Sequence, residues 1–99
     1  MIARIWRGKV PAEKADAYHD YLLNTGLKDY RALAGSLGVQ VLRRTEAGVT
    51  EFLLLSQWES LEAIRQFAGD DLERAVYYPE DDAFLLERTP KVEHYEVYP

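Results

Sequence analysis

The chain has 99 residues, of which 47% are hydrophobic and 29% charged, the size and balance of one compact domain spanning residues 1–99. The absence of cysteine excludes disulfides, thiolate metal sites, iron–sulfur clusters and a thiol nucleophile. A net charge of −5, with twelve Asp and Glu against four Lys and Arg from Thr50 onward, argues against nucleic acid or an anionic membrane as a partner.

The longest apolar run, Phe52 to Leu55, is far too short to cross a bilayer, and the chain opens as a strand with no charged-then-apolar leader, so a soluble cytoplasmic protein is expected. A domain this small buries only about two thirds of its unfolded surface, which makes pairing with a second copy an attractive way to complete the core.

Ile2 to Arg7 reads as a strand, with Ala3 and Ile5 on one face and Ile2, Arg4 and Trp6 on the other. Pro11 suits a first helical position, and Ala15, Tyr18 and Leu22 follow at spacings of three and four, predicting an amphipathic helix to about Asn24. From Leu27 to Gly38 the pattern is mixed, and Gly35-Ser36 interrupts any long helix, so a helical turn and a loop are expected here, forming a site rim.

Val39 to Thr45 and Thr50 to Trp58 read as two strands joined by Glu46-Ala47-Gly48-Val49, the pattern of an antiparallel hairpin. Phe52, Leu54, Ser56 and Trp58 share one face of the second strand, while Leu53 and Leu55 fill the other, so both faces should be covered. Ser60 is a good N-cap for a helix carrying Leu61, Ile64 and Phe67 and ending at Gly69. The spacing of Asp70 and Glu73 predicts a second helical piece to about Val76.

Pro79 followed by Glu80, Asp81 and Asp82 predicts one more short helix, its carboxylates solvated at the N-terminus, with Phe84, Leu85 and Leu86 as its apolar side. Three adjacent carboxylates do not converge from several elements, so no bound metal is expected. Val92 to Tyr98 reads as a final strand. The order is β-α-β-β-α-β, an α+β ferredoxin-like plan with an antiparallel sheet and helices on one face. The other face, assigned Trp6, Phe52 or Leu53, and Val41 or Leu42, is too apolar to meet water, and a partner's sheet would cover it.

Among residues that carry chemistry, His94 sits on the last strand, where its imidazole either takes a substrate proton or is satisfied by a sheet neighbour. Trp6 and Trp58 either wall a flat aromatic pocket or pack the core. Tyr77 and Tyr78, held in a restricted turn before Pro79, offer phenols to a substrate. Arg4 and Arg65 are candidates to steady an oxyanion, with pairing of Arg4 to Glu96 as the alternative. No phosphate-cradling glycine pattern, Ser-His-Asp set or paired-histidine spacing is present.

The opening Met1-Ile2-Ala3-Arg4-Ile5-Trp6, the run Ser56-Gln57-Trp58-Glu59-Ser60-Leu61-Glu62-Ala63-Ile64 leading into Phe67-Ala68-Gly69, the stretch Ala75-Val76-Tyr77-Tyr78-Pro79-Glu80-Asp81-Asp82, and His94-Tyr95-Glu96-Val97 together resemble the antibiotic biosynthesis monooxygenase-like domains of the dimeric α/β-barrel group. That resemblance implies a ferredoxin-like protomer whose sheet pairs with a twofold mate to form a barrel, with a pocket between each sheet and its helices. Some members oxidise aromatic polyketides without metal or flavin; others degrade haem. Where haem-degrading members carry an Asn on the first strand and a His after the second helix, this chain has Trp6 and Arg7, then Tyr77 and Tyr78, which disfavours haem degradation.

The leading expectation is therefore a homodimeric, cofactor-independent monooxygenase acting on a small aromatic or enolisable substrate. In that reading Trp58, Phe67, Tyr78, Trp6 and Arg4 line or bind, while His94, Tyr77 and Arg65 carry the chemistry. The rival is a non-catalytic dimeric small-molecule-binding or stress-response domain, since one fold serves unrelated tasks.

Overall fold

The computed structural model describes residues 1–78, 81, 83–86 and 91–98. Its order is β1 (Ile2–Pro11), a 3₁₀ turn (Ala12–Lys14), α1 (Ala15–Asn24), α2 (Gly26–Ala32), β2 (Ser36–Glu46), β3 (Val49–Trp58), α3 (Leu61–Ala68) and β4 (Glu93–Glu96). The four strands form one antiparallel sheet in the order β2-β3-β1-β4, the ferredoxin-like arrangement in which the first strand lies between the third and the last.

Pro11 ends β1 rather than starting a helix. It remains extended (φ −56°, ψ 138°) and pairs with Val49, because β3 is ten residues long and carries β1 along its whole length. The predicted stripe of Ala15, Tyr18 and Leu22 is the buried side of α1. The expected turn and loop after it is instead a seven-residue helix, α2, burying Leu27 and Tyr30. The hairpin closes through only two residues, Ala47 (φ 52°) and Gly48 (φ 78°), and two positive φ values match the right-handed twist of the flanking strands.

Ser60 caps α3 as expected, accepting from Ala63 N at 3.2 Å. The second helical piece does not form. Residues 70–78 run irregularly apart from a single turn and an isolated bridge between Arg74 and Lys91. The carbonyls a helix would use internally are taken from outside: those of Leu72 and Arg74 accept from Arg4 (2.6 and 3.1 Å), and that of Glu73 accepts from Val92 N (2.7 Å). Of the short helix expected from Pro79, residues 79, 80, 82 and 87–90 lie outside the described residues. The carbonyl of Asp81 does accept from Phe84 N and Leu85 N in a tight turn.

The pleat puts Arg4, Trp6 and Val10 of β1 on one face with Phe52, Leu54, Ser56 and Trp58 of β3, all buried beneath the helices. Trp6 and Phe52 therefore belong to the covered face, not the open one. The open face carries Ala3, Ile5, Leu53, Leu55, Leu42 and Tyr95, of which Leu42 and Tyr95 are about half exposed (47% and 52%).

Candidate active site

Between the covered face of the sheet and the helices lies a cavity of about 20 Å³, room for about one water. Two strands and all three helices contribute to it: Trp6 from β1, Leu54 from β3, Tyr18 and Leu22 from α1, Gly26 and Tyr30 from α2, and Phe67 from α3, with Val76, Tyr78 and Asp81 added from the return toward β4. It exists because large aromatic side chains from five directions meet at fixed angles. Tyr30 and Phe67 lie 4.6 Å apart between ring centroids, Tyr18 and Phe52 5.1 Å, and Trp6 and Tyr77 6.0 Å.

Trp6 reaches the cavity by lying along its own strand. A Cβ placed on Gly8 would come within 2.5 Å of Trp6 Cη2 and 2.9 Å of Cζ3, so glycine two residues ahead is what lets the indole lie flat. That contact uses the benzo edge and turns the N–H edge away from Gly8. Trp6 Nε1 is buried without a hydrogen-bond partner, a condition that costs about 1–3 kcal/mol when nothing completes the group.

Asp81 supplies the buried charge. Only 2% exposed, it accepts from Tyr18 Oη at 3.2 Å through Oδ1 and from Tyr78 N at 2.7 Å through Oδ2. Burial, reinforced by Asp81, pushes the Tyr18 phenol far above the usual tyrosine range, so Tyr18 stays a donor. Tyr78 Oη donates to Asp29 on α2, and burial together with Asp29 raises that phenol as well. Burial raises Tyr30 too, with the Arg4 cation working against it.

Behind the cavity lies Arg4, 1% exposed. Its guanidinium donates to the Leu72 and Arg74 carbonyls and lies 3.0 Å from His94 Nε2, with its centre 5.7 Å from the Phe67 ring centroid. Nε has no partner. Burial pulls the Arg4 value down. Arg4 meets His94, directly opposite on β4, and not Glu96, which sits opposite Ile2.

Three of the candidates read from the sequence, Trp6, Phe67 and Tyr78, line the cavity. Trp58 is fully buried behind Tyr30 and Phe67, its indole N–H donated to Ser56 Oγ at 2.9 Å. Tyr77 packs on Trp6 outside the cavity wall. His94 lies off the cavity, and burial and Arg4 lower its basicity below the ordinary imidazole range. Arg65 is exposed on the outer side of α3, 3.6 Å from Glu62 and 3.9 Å from Asp70, because the inward register of α3 belongs to Ala63, Ile64 and Ala68.

Sequence reading passed over Tyr18, Tyr30 and Asp81. Tyr18 was visible only as part of a buried stripe, and Tyr30 only within an expected site rim. Asp81 sat in an acidic run whose local pattern signals solvent. Among the described residues no three His, Asp or Glu converge as a metal would require, and no helix is long and apolar enough to cross a membrane.

A second hollow, a surface groove of about 380 Å³ between α2 and α3, is lined in part by Asp29, Leu33 and Gln66. Phe67, Val76 and Tyr78 line both groove and cavity, so these three side chains form a wall common to the two.

The sequence profile described as antibiotic biosynthesis monooxygenase matches residues 1–76. No curated protein matches the chain in sequence. Among solved structures, it is similar to Rv0793 of Mycobacterium tuberculosis, with 20% identity over 99% of this chain and 95% of that one at a TM-score of 0.64. The haem-degrader MhuD of the same organism, solved with two haems in its active site, shares 21% identity over 98% and 95% at a TM-score of 0.60. PA3566 of Pseudomonas aeruginosa shares 18% identity over 99% and 92% at 0.59. At these identities the likeness is one of fold.

Proposed function

This chain belongs to the antibiotic biosynthesis monooxygenase family, and on that premise we propose that it is a monooxygenase taking a small aromatic or enolisable substrate at the cavity beneath the sheet. The observation that carries the reading is the cavity itself: a space walled by the aromatic side chains of Trp6, Tyr18, Tyr30, Phe67 and Tyr78 and lined by the buried Asp81. Aromatic walls with few, fixed polar groups are how small flat molecules are oriented.

In this reading the reaction needs no metal or flavin. The deprotonated substrate is the reductant: a CH₂ group flanked by activating rings loses two hydrogens and gains one atom of dioxygen as C=O, and the other atom leaves as water. The protein binds the ring system, keeps water out and holds the donors and acceptors still. Haem is a poor fit, because neither His19 nor His94 lines the cavity and His94 Nε2 faces the Arg4 guanidinium.

The protomer would work as a homodimer, its open face of Ile5, Leu53, Leu55, Leu42 and Tyr95 covered by the same face of a second copy. A strip of apolar side chains edged by the ion pairs Arg7–Glu93 and Arg44–Glu51 has the composition of such an interface.

One observation favours the rival reading, a non-catalytic binding domain: Tyr30, Trp58 and Phe67 close tightly on one another and leave the cavity small. Oxygen uptake with a panel of hydroquinones and polyphenols separates the two. Saturable uptake that disappears in a folded Val76→Trp variant, whose added bulk lies in the wall shared by cavity and groove, supports the oxygenase. No saturable uptake with any member of the panel favours the binding domain.

A further inference from the structure

The outer groove holds a charge that the chain itself does not answer. At about 380 Å³ the groove has the size of a small-molecule site, a class that begins near roughly 300 Å³. Its apolar lining comes from Leu33 at the end of α2, Phe67 of α3 and Val76 of the return segment, each half-buried against the core. The one charged residue in that lining is Asp29. Its Oδ2 accepts from Tyr78 Oη, and burial together with Asp29 holds that phenol protonated, so Asp29 is the charged partner of the two. The other carboxylate oxygen has no hydrogen-bond partner, and no ion pair among the described residues includes Asp29. Lys28 and Arg31 stand one and two positions away on α2, spacings at which helical side chains do not face each other.

We infer that this groove is a binding site for a small planar aromatic amine, with the protonated nitrogen at the open oxygen of Asp29 and the ring against Phe67. The inference stands apart from the oxygenase reading, because it uses the groove and not the cavity. An ammonium brings Asp29 both a hydrogen bond and the opposite charge, the stronger kind of polar contact. A hydroxyl supplies the hydrogen bond without the charge. A ligand carboxylate can do neither and is repelled by Asp29.

The orientation of the ligand follows from Arg4, whose guanidinium centre already lies 5.7 Å from the Phe67 ring centroid. A second cation over the same ring would be repelled by the first, so the uncharged ring belongs at Phe67 and the nitrogen at Asp29. Phe67 offers a firm surface for stacking, packed as it is against Tyr30 at 4.6 Å between centroids. Asp29 thus reads the charge of the ligand, and Leu33, Phe67 and Val76 read its ring.

Nuclear magnetic resonance titration of the isotope-labelled full chain with three indoles of similar outline tests the inference at neutral pH: tryptamine, tryptophol and indole-3-propionate. Tryptamine should bind saturably, with the amide signals of Leu33, Gln66, Phe67 and Val76 shifting most. Tryptophol should bind more weakly and indole-3-propionate weakest, roughly five- to tenfold below tryptamine, since an exposed ion pair favours the one ligand and like charge opposes the other. In Asp29→Asn, which keeps an acceptor for Tyr78 Oη, the preference should vanish. Asp20→Asn removes the same charge from an exposed position on α1 outside the groove and should leave the preference intact, which separates a site from general attraction to a chain of net charge −5. No saturable shift with tryptamine, shifts centred outside the groove, equal binding of tryptamine and tryptophol, or a preference that survives Asp29→Asn overturns the inference, as does an equal loss in Asp20→Asn. None of these outcomes bears on oxygen uptake, so failure of the groove site leaves the oxygenase reading to its own test.

Discussion

Arg4 and His94 face each other across the β1–β4 pairing, with a guanidinium nitrogen 3.0 Å from His94 Nε2. A guanidinium carries only donors, so His94 Nε2 accepts and the imidazole proton sits on Nδ1. The nitrogen that a catalytic base would offer is engaged, which accounts for the place of His94 outside the cavity wall.

Stability should depend on pH through this contact. Burial first, and the Arg4 charge second, lower His94 from its ordinary 6.5, with Glu73 opposing. Between the lowered folded value and 6.5 the unfolded chain binds more protons, so stability rises with pH there. The contribution is complete above 6.5 and is lost as pH falls through the folded value. Melting temperatures at about pH 5 and about pH 7.5 should differ more for the unaltered chain than for His94→Gln, which keeps an acceptor for Arg4 but does not titrate.

Gly8→Ala should be destabilising by about 1–3 kcal/mol, the usual cost of overpacking, because its Cβ would meet the Trp6 ring at 2.5 Å. Urea denaturation gives the magnitude. Near-ultraviolet circular dichroism should report the displaced indole even where the fold survives.

Leu53→Glu puts a carboxylate at the middle of the open sheet face, opposite Arg7 on one side and Leu42 on the other. If the proposed homodimer forms through this face, sedimentation velocity should show it weakened by at least about tenfold, roughly 1.4 kcal/mol, with the secondary structure of the protomer retained. An unchanged sedimentation profile would place any oligomer contact elsewhere.

Tyr78→Phe removes the phenol donated to Asp29 while keeping the ring that lies between groove and cavity. The cost in stability should be modest, about 0.5–1.5 kcal/mol, since Asp29 is exposed. Stopped-flow mixing with a hydroquinone from the oxygen-uptake panel should show faster association, because the ring swings more freely once untethered from α2.

Local pattern carried the elements whose cause is local. The β2–β3 hairpin follows from alternation around Ala47-Gly48, and α3 from Ser60 and the spacing of Ile64 and Phe67. It failed where distant partners decide. Asp70 and Glu73 have the spacing of a helix start, yet Arg4, 68 and 70 residues away from its acceptors Leu72 and Arg74, draws off the carbonyls a helix needs. Asp81 belongs to an acidic run, yet it is buried by Tyr18, 63 residues earlier. Such pairings are set by the crossing of β1 and α1 with the return segment, and no spacing within either stretch encodes them. Arg65 went astray for a smaller reason: its place on α3 depends on a register that is sharp only once the inward side is known.

The Arg4 cluster also bears on the order in which the molecule is assembled. β1 is an inner strand, and its buried cation waits for acceptors that appear 68 to 90 residues later in the chain. During synthesis the β2–β3 hairpin can close early against β1, but a charge beneath the helices stays uncompensated until residues 72–74 and the four-residue β4 arrive. The shortest strand thus completes the environment of the earliest one, and a nascent chain stopped before Glu93 should remain open to proteases and chaperones although most of its sheet is already formed.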